Sequence, residues 1–116
     1  MEKVIEICCG SYEDALNAWQ GGAKRIELNS ALYLGGLTPS VGSLRLTKKN
    51  TGLKVICMVR PRGAGFCYSK EDFETMKADA QILMKNGADG IVFGCLNEEG
   101  EIQVEQTKEI IEIIKK

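Results

Sequence analysis

At 116 residues and 44% apolar content, the chain suits one small packed domain, and its net charge of −1 offers no electrostatic footprint for nucleic acid or an acidic membrane surface. No apolar run is long enough to span a bilayer, no signal peptide is expected ahead of the first strand pattern, and five cysteines without a disulfide framework suit free thiols in a reducing cytoplasm. The chain has no histidine, which removes the commonest general base and the commonest metal ligand together.

Strand and helix patterns alternate four times. Val4–Cys8 reads as the first strand. Ser11 is a candidate N-cap for a helix over Tyr12–Gln20, which stops at Gly21-Gly22. Arg25–Asn29 is the second strand. A glycine-rich loop, Ser30–Pro39, leads to a helix expected to start at Thr38-Pro39-Ser40, with proline in its first turn, and to run to about Asn50. The third strand, Lys54–Val59, ends in Arg60-Pro61-Arg62. After the loop Arg60–Tyr68, Ser69-Lys70-Glu71-Asp72 resembles a capping box and opens the longest helix, Lys70–Asn86. Asp89–Phe93 is the fourth strand. Gln103–Lys116 is the fourth helix, with Val104, Ile110, Ile111 and Ile114 as its expected apolar stripe. The repeat Gly-Ala before a buried strand, at 22–23 and 87–88, is the grammar of a βα unit. It predicts a parallel α/β sheet in the order 1-2-3-4 with right-handed crossovers. No Gly-x-Gly-x-x-Gly follows the first strand, so a dinucleotide fold has no support.

Ligands of parallel sheets bind at the carboxyl ends of the strands, where Arg60 and Arg62 lie. Their planar guanidinium forks suit a small carboxylate or phosphate. The loop Gly35-Gly36-Leu37-Thr38-Pro39-Ser40 could add backbone N–H groups at a helix N-terminus, with Thr38 and Ser40 either binding an anion or simply capping the helix. Strand alternation places Val4, Glu6 and Cys8, then Arg25, Glu27 and Asn29, then Ile56, Met58 and Arg60, on the inner face. Glu6 and Glu27 are candidates for general acid/base work on an anionic substrate. The same inner set also reads as a structural ion-pair layer of Arg60 with Glu6 and Glu27. Cys9 and Cys57 alternate toward the helices. Cys8, with the weaker candidates Met58, Cys67 and Cys95, could offer sulfur to Cu(I), a soft ion.

Five segments carry a family resemblance: Ile5-Glu6-Ile7-Cys8, Gly21–Leu28, Gly35–Ser40, Met58–Gly63 and Gly87–Gly94. In order and spacing they resemble the CutC copper homeostasis family. The resemblance implies a TIM-type (β/α) barrel of which this chain carries the first four βα units, a half-barrel, without the family's histidine-bearing Thr-Phe-His-Arg segment. It also implies copper handling, with Cys8 matching one of two proposed Cu(I) cysteines. Asn29 stands where the other is expected, and Gly10 and Gly65 stand where aspartates are usual. A half-barrel leaves two open sheet edges, so self-association through them is expected.

Overall fold

The computed structural model describes residues 2–116. Four strands form one parallel sheet in the order β1-β2-β3-β4: β1 Glu6–Cys9, β2 Arg25–Leu28, β3 Lys54–Met58 and β4 Gly90–Val92. Helices α1 (Tyr12–Gln20), α2 (Val41–Asn50), α3 (Lys70–Lys85) and α4 (Val104–Lys115) follow the strands in turn. The expected order and parallel pairing hold throughout.

Local chemistry sets each element. Ser11 caps α1 by accepting from Asp14 N, and Asp14 in turn accepts from Gly10 N. Ser69 and Asp72 form the reciprocal capping box of α3. Helix α2 starts later than expected. Ser40 is its N-cap, accepting from Ser43 N, so Pro39 precedes the helix. The reason is that Thr38 is already bound across the loop to the end of β3. A 3-10 turn, Leu32–Leu34, which the pattern did not signal, occupies the β2–α2 loop. Every strand is shorter than expected at one end or both. β1 begins at Glu6 rather than Val4 because its partner β2 begins at Arg25, so nothing pairs with the residues before Glu6.

The core lies between one face of the sheet and the helices. Ile26 and Leu28 of β2, and Val55 and Cys57 of β3, are buried there with Val59 just beyond β3, against Ala15, Leu44, Met76, Ala80, Leu83 and Ile110. The alternation is period two, with Glu27, Ile56 and Met58 on the other, more open face. The stripe of α4 is rotated from the expected one. Ile110, Ile113 and Ile114 face the core, whereas Val104 and Ile111 remain exposed. At the amino ends of the strands, Asp89 accepts from Val55 N (2.9 Å) and from Lys48 Nζ (2.7 Å), locking β3, β4 and α2 together. Burial pushes the Asp89 carboxyl up, but those two hydrogen bonds and the charges of Lys48 and Lys54 outweigh it and hold the group below 3.8. No helix is long and apolar enough to cross a membrane among the described residues.

Candidate functional site

The carboxyl ends of β1 and β2 bring three candidates together. Register sets Cys8 opposite Glu27, with Asn29 one step beyond β2. Cys8 Sγ donates to Glu27 Oε2 at 3.6 Å, the long reach of sulfur. Asn29 Nδ2 donates to the same oxygen at 3.1 Å and lies 3.5 Å from Cys8 Sγ. Asn29 is buried, whereas Cys8 remains open to solvent. Desolvation of the sulfur, then the hydrogen bond and charge of Glu27, push the Cys8 pKa above its ordinary 9.0. The group is therefore a neutral thiol at pH 7, hydrogen-bonded to the Glu27 carboxylate. Gly36 approaches this cluster closely. A Cβ on it would sit 2.5 Å from Asn29 Oδ1, and its φ of 95° also favours glycine.

Glu6 is held elsewhere. Its Oε1 lies 2.9 Å from Arg25 Nε, a half-exposed charge contact whose N–H is not aimed along the line of approach. The expected layer of Arg60 with Glu6 and Glu27 does not form. Glu27 pairs in register with Ile56, and Arg60 lies four residues further along, on the order of 13 Å at the rise of a strand.

Arg60 turns instead to the β2–α2 loop. The residue is 8% exposed, and its side chain donates from Nη1 to Leu34 O (3.0 Å) and to Gly36 O (3.5 Å) and lies over the Phe66 ring at 4.7 Å. Its Nε is buried without a partner, as is the nearby hydroxyl of Tyr68. Arg60 forms no ion pair with a carboxylate among the described residues. Burial pushes the Tyr68 hydroxyl pKa up, against the pull of the Arg60 charge.

The other anion candidates are occupied by structural contacts. Arg62 pairs with Asp72 (3.1 Å), donates to the carbonyls of Gly63, Ala64, Gly65 and Cys67, and stacks on Tyr68. It ties its own loop together rather than facing the glycine loop. Thr38 Oγ1 accepts from Arg60 N and donates to Arg60 O, and Ser40 caps α2. The glycine loop is no anion cradle either. Gly35 N donates to Leu32 O, Gly36 N to Ala31 O, Leu37 N to Ser30 O and Thr38 N to Arg60 O.

The sulfur candidates do not gather. Cys95 is buried, with its pKa pushed up to about 11 by desolvation, and Cys67 lies exposed in the loop that Arg62 closes. Met58 is half-buried on the open face of β3. Among the described residues no three His, Cys, Asp or Glu side chains are grouped as a metal cage. Alternation found Cys8, Glu27 and Asn29, but it missed Arg25 as the partner of Glu6. The expected strand starts, Val4 and Arg25, put the two residues out of step, and only the observed register, Glu6 opposite Arg25, pairs them. The aromatic pair Phe66 and Tyr68, six residues after Arg60 and Arg62 respectively, likewise marked the two stacks.

The profile of the CutC family matches residues 3–116. A CutC family protein of Treponema denticola is 56% identical over 109 residues, covering 94% of this chain and 44% of the relative. The human copper homeostasis protein cutC homolog is 46% identical over 112 residues, covering 97% of this chain and 41% of the relative. The chain thus spans less than half the length of these relatives. Among solved structures, CutC from Streptococcus agalactiae superposes with a TM-score of 0.90 at 26% identity, over 98% of this chain and 56% of that one. Thiamine phosphate pyrophosphorylase from Pyrococcus furiosus superposes at 0.63 with 22% identity, over 97% of this chain and 48% of its own length, a likeness of fold alone. The four βα units are part of a TIM-type barrel.

Proposed function

The chain belongs to the CutC family, and from that premise we propose that it serves copper homeostasis by taking Cu(I) at the thiol of Cys8. The observation that carries this reading is the contact of the Cys8 thiol with Glu27 at the carboxyl ends of β1 and β2. Cu(I) prefers sulfur, and binding requires the thiolate. Glu27 accepts the hydrogen bond of the thiol, and the proton that the metal displaces leaves to solvent, to which Cys8 is open. Asn29 orients that carboxylate through its 3.1 Å hydrogen bond. With one sulfur in reach, the cluster suits transient holding of a cargo ion better than a permanent cage. The five free thiols fit a reducing, cytoplasmic setting. The test is anaerobic titration of Cu(I) against a chromophoric chelator. The native chain should compete for one ion, and Cys8→Ser should weaken that competition at least about tenfold. Equal binding by the variant would remove Cys8 from the reading.

A second reading has its own support. Arg60 is a buried cation whose described partners are carbonyls and an aromatic ring, and a buried charge favours a counter-ion. A small carboxylate or phosphate at the mouth would supply one, whether as ligand or as the substrate of an enzyme. Calorimetry with inorganic phosphate on the native chain and on Arg60→Met decides it: heat of binding in the first that vanishes in the second supports it, and no heat in either refutes it.

A further inference from the structure

Arg60 and Tyr68 carry polar groups that the fold buries and leaves without partners. The two residues are 8% and 9% exposed. Both described side-chain hydrogen bonds of Arg60 leave from Nη1, to the carbonyls of Leu34 and Gly36. The other edge of the guanidinium, Nε and Nη2, is uncommitted among the described residues, and its Nε is fully buried. The Tyr68 hydroxyl is likewise buried without a partner. It lies close enough to Arg60 for the guanidinium to oppose the rise in pKa that burial causes. Buried donors without acceptors are costly, so two of them near one another mark a place for an acceptor.

The walls of this place come from the loops that follow β2, β3 and β4, and β3 stands inside the sheet with a strand on each side. The charges around it are settled, with one exception. Arg62, stacked on the Tyr68 ring at 4.8 Å, is neutralised by Asp72 at 3.1 Å. Cys95, which the β4–α4 loop brings near Tyr68, is a buried thiol with its pKa pushed up to about 11 by desolvation. Glu98, Glu99 and Glu101 of that loop are exposed, as is Tyr33, the ionisable residue of the β2–α2 loop. One positive charge, that of Arg60, is left unmatched among the described residues.

We infer, building on the anion reading of Arg60, that the ligand is a singly charged carboxylate and that the Tyr68 hydroxyl is its second donor group. The Nε and Nη2 hydrogens of a guanidinium point the same way and are spaced for the two oxygens of one carboxylate. The hydroxyl adds a hydrogen bond to one of those oxygens. Charge sets the ligand class. A monoanion cancels Arg60, whereas a dianion would leave a buried negative charge with no counter-ion. Phe66 controls the way in. Its ring lies over the guanidinium at 4.7 Å, and the residue is itself 38% exposed. It follows Ala64 and Gly65, whose φ values of 64° and 81° are left-handed. Swinging the ring outward exchanges a cation–π contact for an ion pair.

Calorimetry on the 116-residue chain with two probes, acetate and inorganic phosphate, at pH 6 and pH 8.5 tests the assignment. Acetate is a monoanion at both values, whereas phosphate passes from its monoanion to its dianion between them. Tyr68 and Cys95 keep their protons over that range, because both titrate above it. Acetate should therefore bind equally at the two pH values, and phosphate at least about fivefold more weakly at pH 8.5. Tyr68→Phe should weaken acetate binding at least about fivefold. Without anion, the same variant should unfold in urea at the native midpoint or above it, since the lost hydroxyl had no partner. The inference is overturned, with an anion at Arg60 still standing, by heat from phosphate alone or by phosphate binding as tight at pH 8.5 as at pH 6. Acetate binding unchanged in Tyr68→Phe, or a lowered midpoint for that variant, overturns it too. Heat from neither probe removes the anion reading itself, and the ligand class falls with it.

Discussion

Gly36→Ala tests how the β2–α2 loop shapes the site. Two separable costs meet at this position. The first is backbone strain, because a φ of 95° is a conformation that residues with a Cβ rarely adopt. That contributes roughly 1–2 kcal/mol. The second is steric. The new methyl would lie 2.5 Å from Asn29 Oδ1 and 3.2 Å from Asn29 Cγ. Asn29 is buried, so it can yield only by giving up its hydrogen bond to Glu27. Losing a hydrogen bond to a charged group adds about 1.5–3 kcal/mol. The total is roughly 2.5–5 kcal/mol, a large share of the stability of a domain this size.

Gly65→Ala is the matched control. Its φ of 81° carries similar strain, but nothing lies within 4 Å of the added methyl. It should cost only about 1–2 kcal/mol. Urea unfolding followed by circular dichroism, at one fixed chain concentration, measures both. The fall in midpoint for Gly36→Ala should be at least about twice that for Gly65→Ala, with the slope unchanged. Equal falls would refute the close packing of the loop on Asn29. Gly36→Ala should also free the Cys8–Glu27 pair from Asn29, whereas Gly65→Ala should leave it intact.

Two further outcomes follow from charge. Glu27→Gln removes a negative charge that helps raise the Cys8 pKa, so alkylation by iodoacetamide at pH 7.5 should speed up at Cys8; a rate equal to or slower than native would break the link between the two. Asp89 has its carboxyl held below 3.8 in the folded chain, so its contribution is fully present above that value and is lost as pH falls through the lower folded value. The stability difference between the native chain and Asp89→Asn should therefore be constant near pH 6 and shrink below about pH 4, and a difference that persists to pH 2 would contradict the assignment.

The fold was legible because its signals are local. Gly21-Gly22 and Gly87 end helices, Ser11 and Ser69 begin them, and buried strands follow at fixed offsets. What escaped depended on contacts between distant segments. Thr38 looked like a helix start, but its hydroxyl and N–H bind Arg60, 22 residues away, which moves the cap to Ser40. The stripe of α4 was misplaced for a similar reason. Five apolar residues, Val104, Ile110, Ile111, Ile113 and Ile114, span more of the helix surface than α3 and the core cover. The pattern shows that a broad face exists, and only the neighbours decide which part of it is buried.

The site divides along the same line. Period-two alternation assigns a face, and on that level Cys8, Glu27 and Asn29 were correctly grouped. It says nothing of height along the barrel. Arg25 and Arg60 share the inward parity, and either could have met Glu6. Register decides between them: Glu6 lies directly opposite Arg25, while Arg60 stands above the end of β3 among the loops. There its charge is met by the carbonyls of Leu34 and Gly36 and by the face of Phe66. Dipoles and a ring quadrupole can hold a guanidinium, but they do not neutralise it. The carboxylates that alternation offered to Arg60 lie too low in the barrel to reach it. The mouth therefore separates a negative cluster around Cys8 from a positive centre at Arg60, and the two can be perturbed one at a time.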